Sequence, residues 1–170
     1  KVEAKKVEKV QLAIESYEPA KDAADVDLTA PIVINFNKEI SQGAGLVVLN
    51  YFLTGGDEKG ESTSINVEDS DQILITGKSI TITPKSGILK PGLRNTLHIE
   101  NGVIQDLDGT AFEGTPESDY IFTASTIKPG VSSDIVANAS DGRATVRWVA
   151  PVSDGGSEIS RYTVIGVPQF

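Results

Sequence analysis

Few residues in this chain have the type and spacing that chemistry requires. His98 is the only histidine. Acid-base work or metal binding at an imidazole needs partners fixed around it, and "NTLHIENG" supplies none. Alternation there puts His98 on the opposite face of a strand from Leu97 and Ile99, toward solvent, as a plain surface histidine. No serine stands in a nucleophile motif, so a Ser-His-Asp arrangement has no footing. "DLDG", Asp106 to Gly109, has the alternating carboxylates of a Ca²⁺ loop start but lacks the further ligands and distal Glu of an EF-hand. An Asx-type turn with Gly109 at positive φ is the simpler reading, and weak Ca²⁺ binding by Asp106 and Asp108 stays open beside it. "EDSDQ", Glu68 to Gln72, reads as a solvated loop. "TGGDEKG", from Thr54, lacks the Gly-Lys-Ser/Thr ending and following helix of a phosphate loop. "NAS", Asn138 to Ser140, is a glycosylation sequon, relevant only where the source glycosylates. Aromatic residues are 6% of the chain. Tyr17, Tyr51 and Phe52 are the loose candidates for stacking on a sugar, and core packing explains Phe52 as easily. The residues therefore give no catalytic group, no cofactor and no assigned metal site.

Composition narrows the setting. The 170 residues hold 15 Lys plus Arg against 24 Asp plus Glu, a net charge of −9. Such a balance argues against a nucleic-acid backbone, which needs clustered cations, and against an anionic membrane surface. The chain has no Cys, hence no disulfide, thiol nucleophile or Cys-ligated zinc. It has no Met, so Lys1 is expected to be a processed end or a cut from something longer. No apolar run approaches the ~20 residues that span a bilayer.

The elements follow from period-two alternation. In "IVINF", Ile32, Ile34 and Phe36 share a face. "ILITGKSITIT" places Ile73 and Ile75 before Gly77-Lys78, then Ile80 and Ile82, a hairpin with a Gly-containing turn. Leu97 and Ile99 share a face, and "YIFTA" makes a last strand near Tyr120 to Thr123. Turn chemistry separates these runs in "SQGAG", "TGGDEKGES", "KPGLR", "DLDG" and "EGTPES". Many short strands so spaced indicate an all-β sandwich. Residues 1–9 fit neither period and read as a linker or N-terminal arm. "STIKPGV", from Ser125, breaks strand pairing and marks a short linker at 125–130. Beyond it, "SDIVANAS", "RATVRWV" and "SRYTVIGV" read as three strands of a second sandwich.

Two resemblances accompany this reading. "SYEPAKDAADVDLTAPIVINFNKEI" and "SITITPKSGILKPGLRNTLHIENGVIQDLDGTAFEG" resemble the start and second half of the SbsA-type (S-layer) bacterial Ig-like domain, over residues 10–124. Asn95 departs from it where an aromatic is frequent, and Asp108 where a small residue is usual. "DGRATVRWVAPVSDGGSEISRYTV" resembles the second and third strands of a fibronectin type III domain, with Trp148 at that family's core Trp and "DGGS" (Asp154 to Ser157) in a mobile loop. This likeness covers residues 131–170, three strands of seven, as an incomplete domain.

These resemblances imply an all-β chain: an Ig-like β-sandwich followed by a partial, three-strand fibronectin type III-like sandwich. The function they imply is non-enzymatic: a structural spacer module of an extracellular or cell-surface protein, as a stalk, adhesin or surface layer. One alternative is a subunit of a surface filament or lattice that shares strands between chains; another is an accessory module of a polysaccharide-active enzyme. The expected partners are neighbouring domains or copies of itself, with no nucleic acid and no membrane insertion; carbohydrate has no positive support. Three strands cannot cover Trp148, Val146, Tyr162 and Val164 by themselves. Trp148 is therefore expected to be substantially buried, with cover from outside 128–170, and from another molecule ahead of the first sandwich.

Overall fold

A computed structural model describes residues 10–53 and 58–167. The reading of residues 1–9 as an arm, most of "TGGDEKG", and the end of the chain at Phe170 lie outside the described residues. In chain order the strands are β1 (Ile14–Glu18), β2 (Ile32–Phe36), β3 (Ile40–Gln42), β4 (Leu46–Tyr51), β5 (Thr63–Asn66), β6 (Ile73–Thr76), β7 (Ser79–Ile82), β8 (Arg94–Ile99), β9 (Ile104–Asp106), β10 (Ile121–Thr123), β11 (Ser133–Ser140) and β12 (Arg143–Val149). One four-stranded sheet runs β1-β2-β7-β6, a second β10-β8-β4-β5, and β3-β9 and β11-β12 form separate pairs. Every ladder between named strands is antiparallel.

Alternation explains the core, because successive strand side chains point to opposite faces. Ile32, Ile34 and Phe36 on β2 meet Ile80 and Ile82 on β7 across one sheet, and all five are fully buried. Val47 and Leu49, Leu97 and Ile99, and Ile65 and Phe122 supply the other inner face. Phe36 meets Phe112 edge-on, with ring centroids 5.2 Å apart. The hairpin expected at Gly77-Lys78 forms with Thr76 opposite Ser79. Gly77 takes φ 59° there, a left-handed conformation that side chains disfavour.

Two ties hold the ends of the sandwich together. Asn37 accepts from the Ala13 N–H at 3.0 Å and donates to the Gln11 carbonyl at 2.8 Å, which seats Leu12 in the core. The segment after β1 runs parallel to β10. Asp22 N–H donates to Ile121 O (2.7 Å), Thr123 N–H to Ala23 O (2.8 Å), Val26 N–H to Thr123 O (3.1 Å) and Ser125 N–H to Val26 O (2.8 Å). The first and last parts of the sandwich are therefore laced side by side.

Beyond the linker, β11 and β12 pair as expected. The third expected strand does not form: residues 161–167 carry no strand ladder. Tyr162 nonetheless meets the hairpin at Trp148, with ring centroids 5.2 Å apart. Within this one chain Trp148 is 36% exposed, and Val131, Ile135 and Ile165 are open as well. The first sandwich does not cover this face.

Candidate functional site

A groove of about 690 Å³ runs between residues 11–17 and 112–116, and Tyr17, Lys21 and Asp119 help to line it. The elements place this trio. β1 delivers Tyr17, and the turn before β10 delivers Asp119 and Tyr120. The Tyr17 and Tyr120 rings stack 4.4 Å apart and 9° from parallel. Tyr120 O–H donates to the Pro19 carbonyl at 2.8 Å, as a buried phenol must find an acceptor. Tyr17 O–H and the Lys21 ammonium each donate to Asp119 at 2.7 Å, and Lys21 sits 4.9 Å over the Tyr17 ring.

Electrostatics reinforce these contacts. Burial, then the hydrogen bond to Asp119, raises the Tyr17 phenol above the ordinary phenol range, so it stays protonated. Burial opposes the charge on Asp119, yet the bonds from Lys21 and Tyr17 outweigh it and lower its pKa. A carboxylate bonded on both oxygens, beside a phenol that keeps its proton, offers neither a free base nor an acid. The trio is a clasp between β1 and the β10 turn. Sequence reasoning placed Tyr17 only as a loose sugar candidate and gave Asp119 no role; the partners lie about a hundred residues apart, with no local signal joining them.

The other sequence candidates also resolve into structure. Asp106 is 2% exposed. Its Oδ1 accepts from the Thr110 and Asp108 N–H groups at 2.8 and 3.1 Å, and its Oδ2 from Lys38 at 3.0 Å. The Thr110 backbone bond, then Lys38, lowers its pKa to about 2. With Gly109 at φ 80°, this is the Asx-type turn. Among the described residues no three His, Asp or Glu side chains converge as a ligand set.

His98 is half-buried rather than turned wholly to solvent. Its Nδ1 is enclosed and has no hydrogen-bond partner among the described residues, as is Thr96 Oγ1 on the same face. Glu117 lies close enough for His98 to favour its charged form, though the Lys59 ion pair does more. Tyr51 receives Lys90 at 5.4 Å and Phe52 receives Arg94 at 4.6 Å, so neither is a bare stacking platform. Asn95, 1% exposed, replaces an aromatic anchor with bonds: Nδ2 donates to Leu93 O at 2.8 Å and Oδ1 accepts from Lys90 N–H at 3.3 Å. Asn138 is exposed on β11.

The two packed four-stranded sheets make the first unit an Ig-like β-sandwich. The family model of the bacterial Ig-like domain matches residues 8–126, and the chain belongs to that family. The β11–β12 unit lies beyond the matched residues. No curated protein matches the chain. Among the described residues no helix is long and apolar enough to cross a membrane.

Proposed function

We propose that this chain is a non-enzymatic, load-bearing spacer of a bacterial extracellular or cell-surface protein. The observation that carries the reading is the parallel pairing of residues 22–26 with 121–125. Tension applied to the two ends of the sandwich pulls residues 22–26 toward their N-terminal side and residues 121–125 toward their C-terminal side. In a parallel pair these pulls are opposed along the strand axis. The backbone bonds then share the load in shear instead of opening one at a time. The Tyr17–Asp119–Lys21 clasp and the Tyr120 bond add ties across the same seam. The second unit reads as the start of a fibronectin type III-like module, supported by the contact of Trp148 on β12 with Tyr162.

The alternative, a filament or lattice subunit, is supported by one feature: the open apolar hollow of about 210 Å³ formed by Ile135, Val146, Trp148, Tyr162 and Val164. The sugar candidates named for the accessory-module reading give it little support: Tyr17 is stacked on Tyr120, and Tyr51 and Phe52 carry Lys90 and Arg94. Light scattering after size-exclusion chromatography separates the first two. A spacer elutes at 18.0 kDa over a wide concentration range. A mass that climbs in multiples with concentration overturns the spacer in favour of the lattice.

A further inference from the structure

The linker at 125–130 is bonded on both sides. On the sandwich side, Gly92 N–H donates to Ser125 O at 3.2 Å. On the other, Ile127 N–H donates to Gly155 O and Gly130 N–H to Ser153 O, each at 2.9 Å. The "DGGS" loop, which the fibronectin resemblance makes mobile, is thus pinned. It also touches the first sandwich directly. A methyl on Gly156 would lie 2.8 Å from the Gly92 nitrogen, and one on Gly92 would lie 2.8 Å from the Gly156 carbonyl carbon. A methyl on Gly155 would lie 2.9 Å from the Ile127 carbonyl carbon. No side chain has room at any of the three positions, and all three take positive φ (67°, 79° and 86°).

Both halves of this contact are shaped beforehand. The sandwich turn is closed by Leu93 N–H to Lys90 O at 3.2 Å and braced by the Asn95 side chain. The loop is shaped by Asp154 Oδ1, which accepts from Gly156 N–H at 2.9 Å, and by Ser153 Oγ, which accepts from Gly155 N–H. Small polar contacts between domains ordinarily allow relative motion, since long side chains slide and repack. Backbone against backbone has no rotamers to adjust, and a linker whose own N–H groups are bonded cannot swing without breaking them.

We propose that Gly92, Gly155 and Gly156 form a backbone lock that fixes the β11–β12 unit on the first sandwich, so that the two move as one stiff body. The lock stands on the geometry of the joint and not on the spacer reading; without it, a spacer would be hinged at residue 127.

The chain has no Cys, so Ser64→Cys and Ser140→Cys, both exposed, give a unique pair for nitroxide labels. Pulsed electron resonance then reads the distance distribution between the two units. One narrow peak is expected. Gly156→Ala and Gly92→Ala, on opposite sides of the lock, should each broaden it severalfold, and the double variant should broaden it no further, because both remove the same contact. Gly142→Ala is the control: its φ is 64° and a methyl there meets nothing within 4 Å. It carries the same backbone strain in the second unit and should leave the peak narrow. Thermal melts of the Gly92→Ala chain report that the sandwich remains folded. A broad distribution in the parent chain, a narrow one in both joint variants, or equal broadening by Gly142→Ala would overturn the proposal.

Discussion

Asp106 illustrates how this chain uses ionisable residues. Its carboxylate binds its own turn and Lys38, which lowers its pKa from 3.8 to about 2. A depressed folded-state value means that the charged form is bound more tightly in the folded chain. The stabilisation is complete above pH about 4 and is lost as pH falls toward 2. Asp106→Asn should be less stable than the parent at neutral pH, and the difference in melting temperature should shrink as the pH drops through that window. A difference independent of pH would contradict the assignment. Phe36 tests the core in the same way. It is fully buried against Phe112, so Phe36→Ala should lose roughly 3–5 kcal/mol in urea unfolding; a loss under about 1 kcal/mol would put Phe36 outside the core. Both residues were legible from local pattern: period two for Phe36 and the Asp-x-x-Gly turn for Asp106. Asp119 and Asn95 were not, since their roles depend on partners or turn geometry that no short motif encodes.

Among the elements, the β6–β7 hairpin was the most legible, with both strands and the two-residue turn written in eleven consecutive residues. Gly77 sets its geometry at φ 59°, and a methyl there meets nothing within 4 Å. Gly77→Ala should therefore cost about 1–2 kcal/mol of left-handed backbone strain and no more. A neutral result in chemical denaturation would mean that the turn adopts another form. The expected third strand of the second unit was the failure at this scale. "SRYTVIGV" has the alternation and the β-branched residues of a strand, but a strand also needs a neighbour to bond. Residues 161–167 touch the hairpin through Tyr162 on Trp148 without forming a ladder, so the pattern is present and the strand is not. Alternation reports a two-faced environment; it does not report which layer a segment joins.

For the whole molecule, the sequence displayed a sandwich, a break and a second β unit, while the features behind the proposed spacer role are all long-range. The parallel lacing of residues 22–26 with 121–125, the tyrosine clasp and the glycine lock each join segments distant in the chain, and each depends on closure of the fold. The expected cover of Trp148 is long-range too: it follows from the cost of exposing apolar surface, and inside the chain the first sandwich does not supply it. The spacer account makes a mechanical claim, and pulling a single molecule by its two ends tests it most directly. The sandwich from Val10 to Ser125 should resist as one unit and then yield in a single rip, releasing about 400 Å of chain at ~3.5 Å per residue. Ser125→Pro removes the N–H bonded to Val26 O and should lower the force of that rip without dividing it. Gradual extension with no rip, or the same force with and without the Ser125 N–H, would contradict a shear-loaded spacer.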